Sequence, residues 1–302
     1  MADVGWVPRG PQLELVRMGL DPSSTIEDFA RWQQSIDFES MDWSFAELLP
    51  LFASRFGSDD GRINGLRRRH FYVNTIAVSR INEAIGLIEQ AGITGVMGGG
   101  LAAMIAYPDL SCRSLPDAEL IVATVHRERA QAILLAAGWT VGDLDRCCHE
   151  SGAMLKLVSR LRGTVEGFID EIEAVPFVMS TITGRELRVI PPAIAVAEVA
   201  INAVWPMPNP PIRWVVDLDL LVADVIATGE IDAIVNHARA HGAAQLVRVA
   251  LCQARRLGAR SIPGSLLRQL ARVPATAFER RAVMERTSTT RFRFWVERVI
   301  GR

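Results

Sequence analysis

The stretch GGGLAAMIAYPDLSCRSLPDAELIV, residues 98–122, decides the reading of this chain. Three glycines open it, a small-residue apolar run follows, and Tyr107–Pro108–Asp109 breaks that run as a turn. It closes on a strand-like DAELIV that carries Asp117 and Glu119 two residues apart. Just upstream, ITGVM is short and rich in β-formers, so the order is strand, glycine turn, helix, turn, strand. Glycine lets the backbone approach a ligand and adopt positive φ. A helix that starts directly after the glycines points free N–H groups at whatever sits there, which favours an anion such as phosphate. On a strand, residues i and i+2 share a face, so Asp117 and Glu119 are expected to project together. Two hard oxygen ligands side by side suit Mg²⁺ or Mn²⁺, which in turn bind phosphate oxygens. A glycine turn is as often purely structural, and a lone D-x-E more often faces solvent. Both together, with one helix between them, point to a metal-dependent phosphate site.

Outward from this stretch the chain divides into three textures. Residues 1–91 read as an N-terminal helical segment. TIEDFARWQQSI begins at Thr25 with acids in its first turn, and MDWSFAELLPLFASRF and RINGLRRRHFYVNTIAVSRINEAIGLIEQAG place apolar residues at helical intervals, with Gly92 as a stop. Residues 92–190 read as a small α/β unit. After AELIV come the amphipathic helix HRERAQAILLAAGW, two strands MLKLVSR and TVEGFID turning near Arg162–Gly163, and a strand ELRVI. Residues 191–302 read as a C-terminal helical domain. Its helices are separated by Pro, Gly or polar breaks, MPNPP forms a loop, and RFRFWVERVIGR forms a last amphipathic helix. The fold class expected is therefore α+β, mostly helical, around a small mixed sheet.

Composition narrows the function classes. The 302 residues are 49% hydrophobic and 22% charged, enough for a sizeable core and against wholesale disorder. A formal net charge of −1 argues against a nucleic-acid binder driven by bulk charge, and the run Arg67–Arg69 reads as a solvated helix face. The four cysteines, Cys112, Cys147, Cys148 and Cys252, form no C-x-x-C pair and read as reduced thiols of a cytoplasmic protein. The N-terminus lacks the pattern of a signal peptide. No apolar run reaches the roughly 18 residues of a membrane span, since AIAVAEVAINAVW is broken by Glu198 and Asn202.

Other tempting residues carry plainer readings. Cys147, Cys148 and His149 in RCCHE are too crowded for one tetrahedral ion and read as a loop thiol pair. His237 and His241 lie four apart on one helix and read as a partly exposed surface. His126 sits where a helix should begin. Trp205 and Trp214 flank the proline loop and are expected to pack it, and Arg213 is expected to pair with Asp217 one turn on.

GITGVMGGGLAAMIAYPDLSCRSLPDAELIV resembles the core of an uncharacterised bacterial nucleotidyltransferase-like family within the nucleotidyltransferase superfamily. Tyr107–Pro108–Asp109, Arg113, Asp117 and Glu119 fall on its motif positions. GRELRVIPP resembles the strand that closes the family's core, and IRWVVDLDLLV, with Arg213, Trp214 and Asp217, the helical segment behind it. The resemblance extends to about residue 257 and is strongest at 94–122. This chain departs from the pattern at Gly98, where the family carries lysine, at Pro116, where it carries serine, and at Glu119, where it carries aspartate. The resemblance implies a metal-dependent transfer of NMP from an NTP to a hydroxyl of a small molecule or protein. Asp117 and Glu119 would hold Mg²⁺ or Mn²⁺, and Gly98, Gly99, Gly100 and Arg113 would hold the nucleotide. A third acid would come from TVEGFID, where Glu166 is preferred to Asp170. The departures also leave a second reading, a degenerate site acting as a ligand- or partner-binding module. A third is a helical scaffold whose α/β part is only structural.

Overall fold

The computed structural model describes residues 10–38, 41, 43–142, 146–159, 175–203, 212–277 and 279–281. The N-terminal segment is helical: α1 (Pro11–Leu20), α2 (Ile26–Gln34), α3 (Trp43–Ala46), α4 (Leu49–Phe56) and α5 (Gly61–Gln90). Helix α2 opens on the capping box that Thr25 and Asp28 encode. Helix α5, capped by Asp60 and stopped at Gly92 with φ 77°, runs 30 residues as one piece.

The sheet elements follow in the order β1 (Gly95–Gly98), α6 (Gly99–Met104), β2 (Ala118–Val122), a 3-10 turn (Thr124–His126), α7 (Arg127–Ala136), β3 (Thr140–Val141), β4 (Arg146–Cys148), β5 (Met154–Val158), β6 (Val178–Ile182) and β7 (Arg185–Val189). They form one mixed seven-stranded sheet in the order β3-β4-β5-β2-β1-β7-β6. β1 pairs antiparallel with β2, while β2 with β5 and β1 with β7 run parallel. The C-terminal part adds α8 (Pro192–Ala203), α9 (Arg213–Ala227), α10 (Ile231–Ala240), α11 (Ala244–Leu257) and α12 (Gly264–Arg272). The α+β class expected from the sequence is the one observed.

Helices α5 and α7 pack against β5, whose Leu155 and Leu157 are buried. On the other face of β5, Met154, Lys156 and Val158 are only half-buried. This alternation is the period-2 pattern of a strand with one covered face. Helix α6 packs against β1, β2 and α8, so the glycine turn lies between the sheet and the C-terminal helices. Among the described residues, no helix is long and apolar enough to cross a membrane.

Three local expectations need correction. Arg146–Cys148 is a strand, not a loop: it pairs with β5 on one side and β3 on the other. ELRVI is the second arm of a hairpin whose first arm, β6, was not anticipated. Thr183 and Gly184 turn it with φ 50° and 80°, the double positive-φ geometry of a tight two-residue turn. The helix after the glycines ends at Met104, before the Pro108 that was expected to stop it. The TVEGFID strand, Trp205, the MPNPP loop and the RFRFWVERVIGR helix lie outside the described residues.

Candidate functional site

The site begins where β1 ends. The register sets Gly98 directly opposite Glu119. Gly99 has φ 59°, a conformation that side chains resist. A Cβ there would stand 3.0–3.2 Å from Cγ, Cδ and Oε2 of Glu119. Position 99 therefore needs glycine twice, for the backbone and for the carboxylate. The Gly99 amide donates to Glu198 Oε2 at 3.2 Å, and a Cβ on Gly98 would lie 3.7 Å from that same oxygen. A Cβ on Gly100 would meet the Asp117 carbonyl at 3.0 Å and Arg113 Nη1 at 3.4 Å. The glycine run is thus the meeting point of two buried carboxylates, Glu119 and Glu198, 4% and 3% exposed. Glu198 was read in the sequence only as a break in an apolar run. Its signal was being the one charged residue of α8.

The expected acid pair divides. Glu119 turns to the glycines, whereas Asp117, just before β2, accepts from Arg146 Nε at 3.1 Å. Lys156 on β5 is the register partner of Glu119, and Arg146 on β4 is the register partner of Lys156. Neither cation was singled out in the sequence, because cross-strand register is not written in it. Glu166 and Asp170 lie outside the described residues.

Arg113 is brought beside Gly100, but its guanidinium is committed. Nε and Nη2 form a bidentate pair with Asp217 on α9, at 2.9 and 3.0 Å, and both residues are buried. The Tyr107 hydroxyl donates to the same carboxylate at 2.6 Å. Arg213, expected to pair with Asp217, instead binds Glu47 at 3.0 Å and the Ser114 hydroxyl at 2.6 Å. Burial alone would raise the Asp217 carboxyl, but the Arg113 charge and its hydrogen bonds outweigh it and hold it below its ordinary value. Burial, then the Asp217 charge, pushes the Tyr107 hydroxyl well above its ordinary value.

Asn74 of α5, 2% exposed, fixes the same loop from the other side. Its Nδ2 donates to the Leu110 and Arg113 carbonyls at 2.6 Å each, and its Oδ1 accepts from the Leu115 amide at 3.1 Å. Truncating it to alanine leaves two buried backbone groups and one part-buried one without that partner. Asn74→Ala is expected to cost at least about 1–3 kcal/mol in chemical denaturation, with Asn74→Asp failing to restore it because a carboxylate cannot donate.

The donor chemistry fits a hard divalent cation. A cation here would draw its carboxylate oxygens from Asp117, which now pairs with Arg146, and from Glu119, which faces the glycine turn. Mg²⁺ is commonly held by one or two carboxylates together with waters and substrate phosphates. Among the described residues, no three His, Cys, Asp or Glu side chains gather to hold a metal ion. His237 on α10 and His241 at its C-cap have ring centroids 4.4 Å apart with the rings tilted by 51°. Burial, then His241, pushes His237 down to about 4, so it stays neutral near pH 7.

A family model described as "Uncharacterised nucleotidyltransferase" matches residues 65–259. A search of curated proteins finds no match. Among solved structures, the solution structure of the antibiotic-resistance factor ANT(2'')-Ia is similar at 17% sequence identity, covering 57% of this chain and 96% of that one, with a TM-score of 0.43.

Proposed function

The chain belongs to the uncharacterised nucleotidyltransferase family, and from that premise we propose that it moves an NMP from an NTP to a hydroxyl of a small molecule or protein. The observation that carries this reading is the register of β1 and β2, which sets the glycine turn against an acid-bearing strand. Asp117 and Glu119 would hold Mg²⁺ or Mn²⁺, which would supply neutralisation of phosphate charge and acidification of an attacking hydroxyl. The Gly98–Gly100 backbone lies along the polyphosphate, close enough because no Cβ intervenes. The acceptor oxygen forms a bond to the α-phosphorus, the bond to the β-phosphate oxygen breaks, and pyrophosphate leaves. The hydroxyl proton passes to a third carboxylate, Glu166 or Asp170 of TVEGFID, with Glu166 preferred as the more central residue of that segment. Arg113 acts on the nucleotide through the turn it supports beside Gly100.

The test is thermal unfolding with each NTP, with and without Mg²⁺ or Mn²⁺, on wild type and Asp117→Ala. One NTP is expected to stabilise the wild type only with metal, by about 2.7 kcal/mol at a hundredfold excess over Kd, and not the variant. No shift with any NTP and metal would overturn the proposal. A second reading, a binding module without turnover, is favoured by two observations: Arg146 engages Asp117, and Glu198 engages the Gly99 amide. Metal-dependent binding without pyrophosphate release, across a panel of hydroxyl acceptors, would select it.

A further inference from the structure

Four strands each carry one residue into a single row across the sheet. Gly98 on β1, Glu119 on β2, Lys156 on β5 and Arg146 on β4 are successive cross-strand partners. Such partners point to the same face. Lys156 is therefore the cross-strand neighbour of the acid that faces the glycine turn, and Arg146 stands one strand beyond it. Arg146 reaches past its own row to Asp117 through Nε, at 3.1 Å. The side chains of this pair are 35% and 23% exposed, so solutes reach them. Ion pairs as exposed as this add little to stability. The Nε contact uses one of the five donors a guanidinium carries.

We infer that Arg146 and Lys156 are the polyphosphate-binding cations of this site, held against the strand acids until a divalent metal takes those acids over. The inference rests on the nucleotidyl-transfer reading and names the residues that meet the phosphates. Asp117 is paired with Arg146, Lys156 is the register partner of Glu119, and Glu198 is a third carboxylate at the same turn. A divalent cation on the strand acids satisfies them, and the two basic side chains become available to phosphate oxygens. The planar guanidinium suits a phosphate bidentately, and the ammonium serves as a point charge. Metal and polyphosphate then assist each other's binding, and by linkage the assistance is equal in both directions.

The test is calorimetry on the full chain with Mn²⁺ alone, then with inorganic tripolyphosphate in the presence and absence of Mn²⁺. The proteins are wild type, Arg146→Gln and Lys156→Gln, each checked for a native circular-dichroism spectrum. Arg146→Gln is expected to bind Mn²⁺ alone about 3–10-fold more tightly, because a competing cation has gone, and tripolyphosphate with Mn²⁺ about tenfold more weakly. Lys156→Gln shifts with the same signs and carries the test if Arg146→Gln folds poorly. A residue that merely shapes the site would weaken both ligands together. That outcome, or an unchanged Mn²⁺ affinity in both variants, overturns the inference while leaving wild-type NTP binding to support the transferase reading. Opposite shifts without any NTP response in the wild type would instead uphold the cation pair and remove the nucleotide. Wild-type protein that takes up no Mn²⁺ overturns both.

Discussion

Arg113→Ala is expected to destabilise the protein by about 3–5 kcal/mol in chemical denaturation, the cost of leaving a buried carboxylate without its partner. Asp217 is 4% exposed and receives two guanidinium bonds and one phenolic bond; the variant removes the first two and leaves the charge. Arg113→Lys is expected to recover only part, since an ammonium cannot supply the planar fork. The pH dependence checks the cause. In the wild type Asp217 titrates below its ordinary value of 3.8, so its contribution is present above that value and is lost as pH falls through the folded value. In Arg113→Ala the buried carboxyl favours its protonated form. The deficit should therefore be largest near neutrality and shrink as pH falls through about 4. A deficit independent of pH would place the loss in packing rather than in the ion pair.

Gly99→Ala is expected to abolish the metal-dependent NTP stabilisation, about 2.7 kcal/mol at a hundredfold ligand excess, while costing the free protein roughly 1–2 kcal/mol for the left-handed backbone. The added Cβ would press on the Glu119 carboxylate at 3.0–3.2 Å. Gly138 provides the control: its φ is 86°, and a Cβ there meets nothing within 4 Å. Gly138→Ala should show the backbone cost alone and keep the full NTP response. Equal responses in the two variants would show that the turn does not meet the nucleotide.

The sequence carried the local half of this architecture. Period and punctuation placed β1, the glycine turn, β2, α7 and the five C-terminal helices, because those signals act within a few residues of themselves. The family resemblance drawn from residues 94–122 falls inside the matched span 65–259. What escaped was set by register and by distance. Arg146 sits in a three-residue strand too short to show alternation. Lys156 was visible as the polar residue of MLKLV, but its neighbour Glu119 is fixed only when β2 and β5 align. Glu198 stood out as an acid in an apolar helix, with no local hint that it reaches the Gly99 amide. Arg213 failed for the opposite reason: a good local partner lay one turn away, but Asp217 faces Arg113, and Arg213 turns to Glu47 in the turn between α3 and α4, 166 residues earlier.

The Arg113–Asp217 pair joins positions 104 residues apart, and that separation becomes a delay when the chain is made on a ribosome. At about 5–20 residues per second, roughly 5–20 s pass between synthesis of the arginine and synthesis of the aspartate that neutralises it. Throughout that interval the acid-bearing strand and the glycine turn exist, but the cation beneath them has no counter-charge and cannot bury itself cheaply. The nascent strand therefore waits on α9, and closure of the site becomes a late event in the life of each new molecule, timed by translation as well as by the intrinsic folding rate.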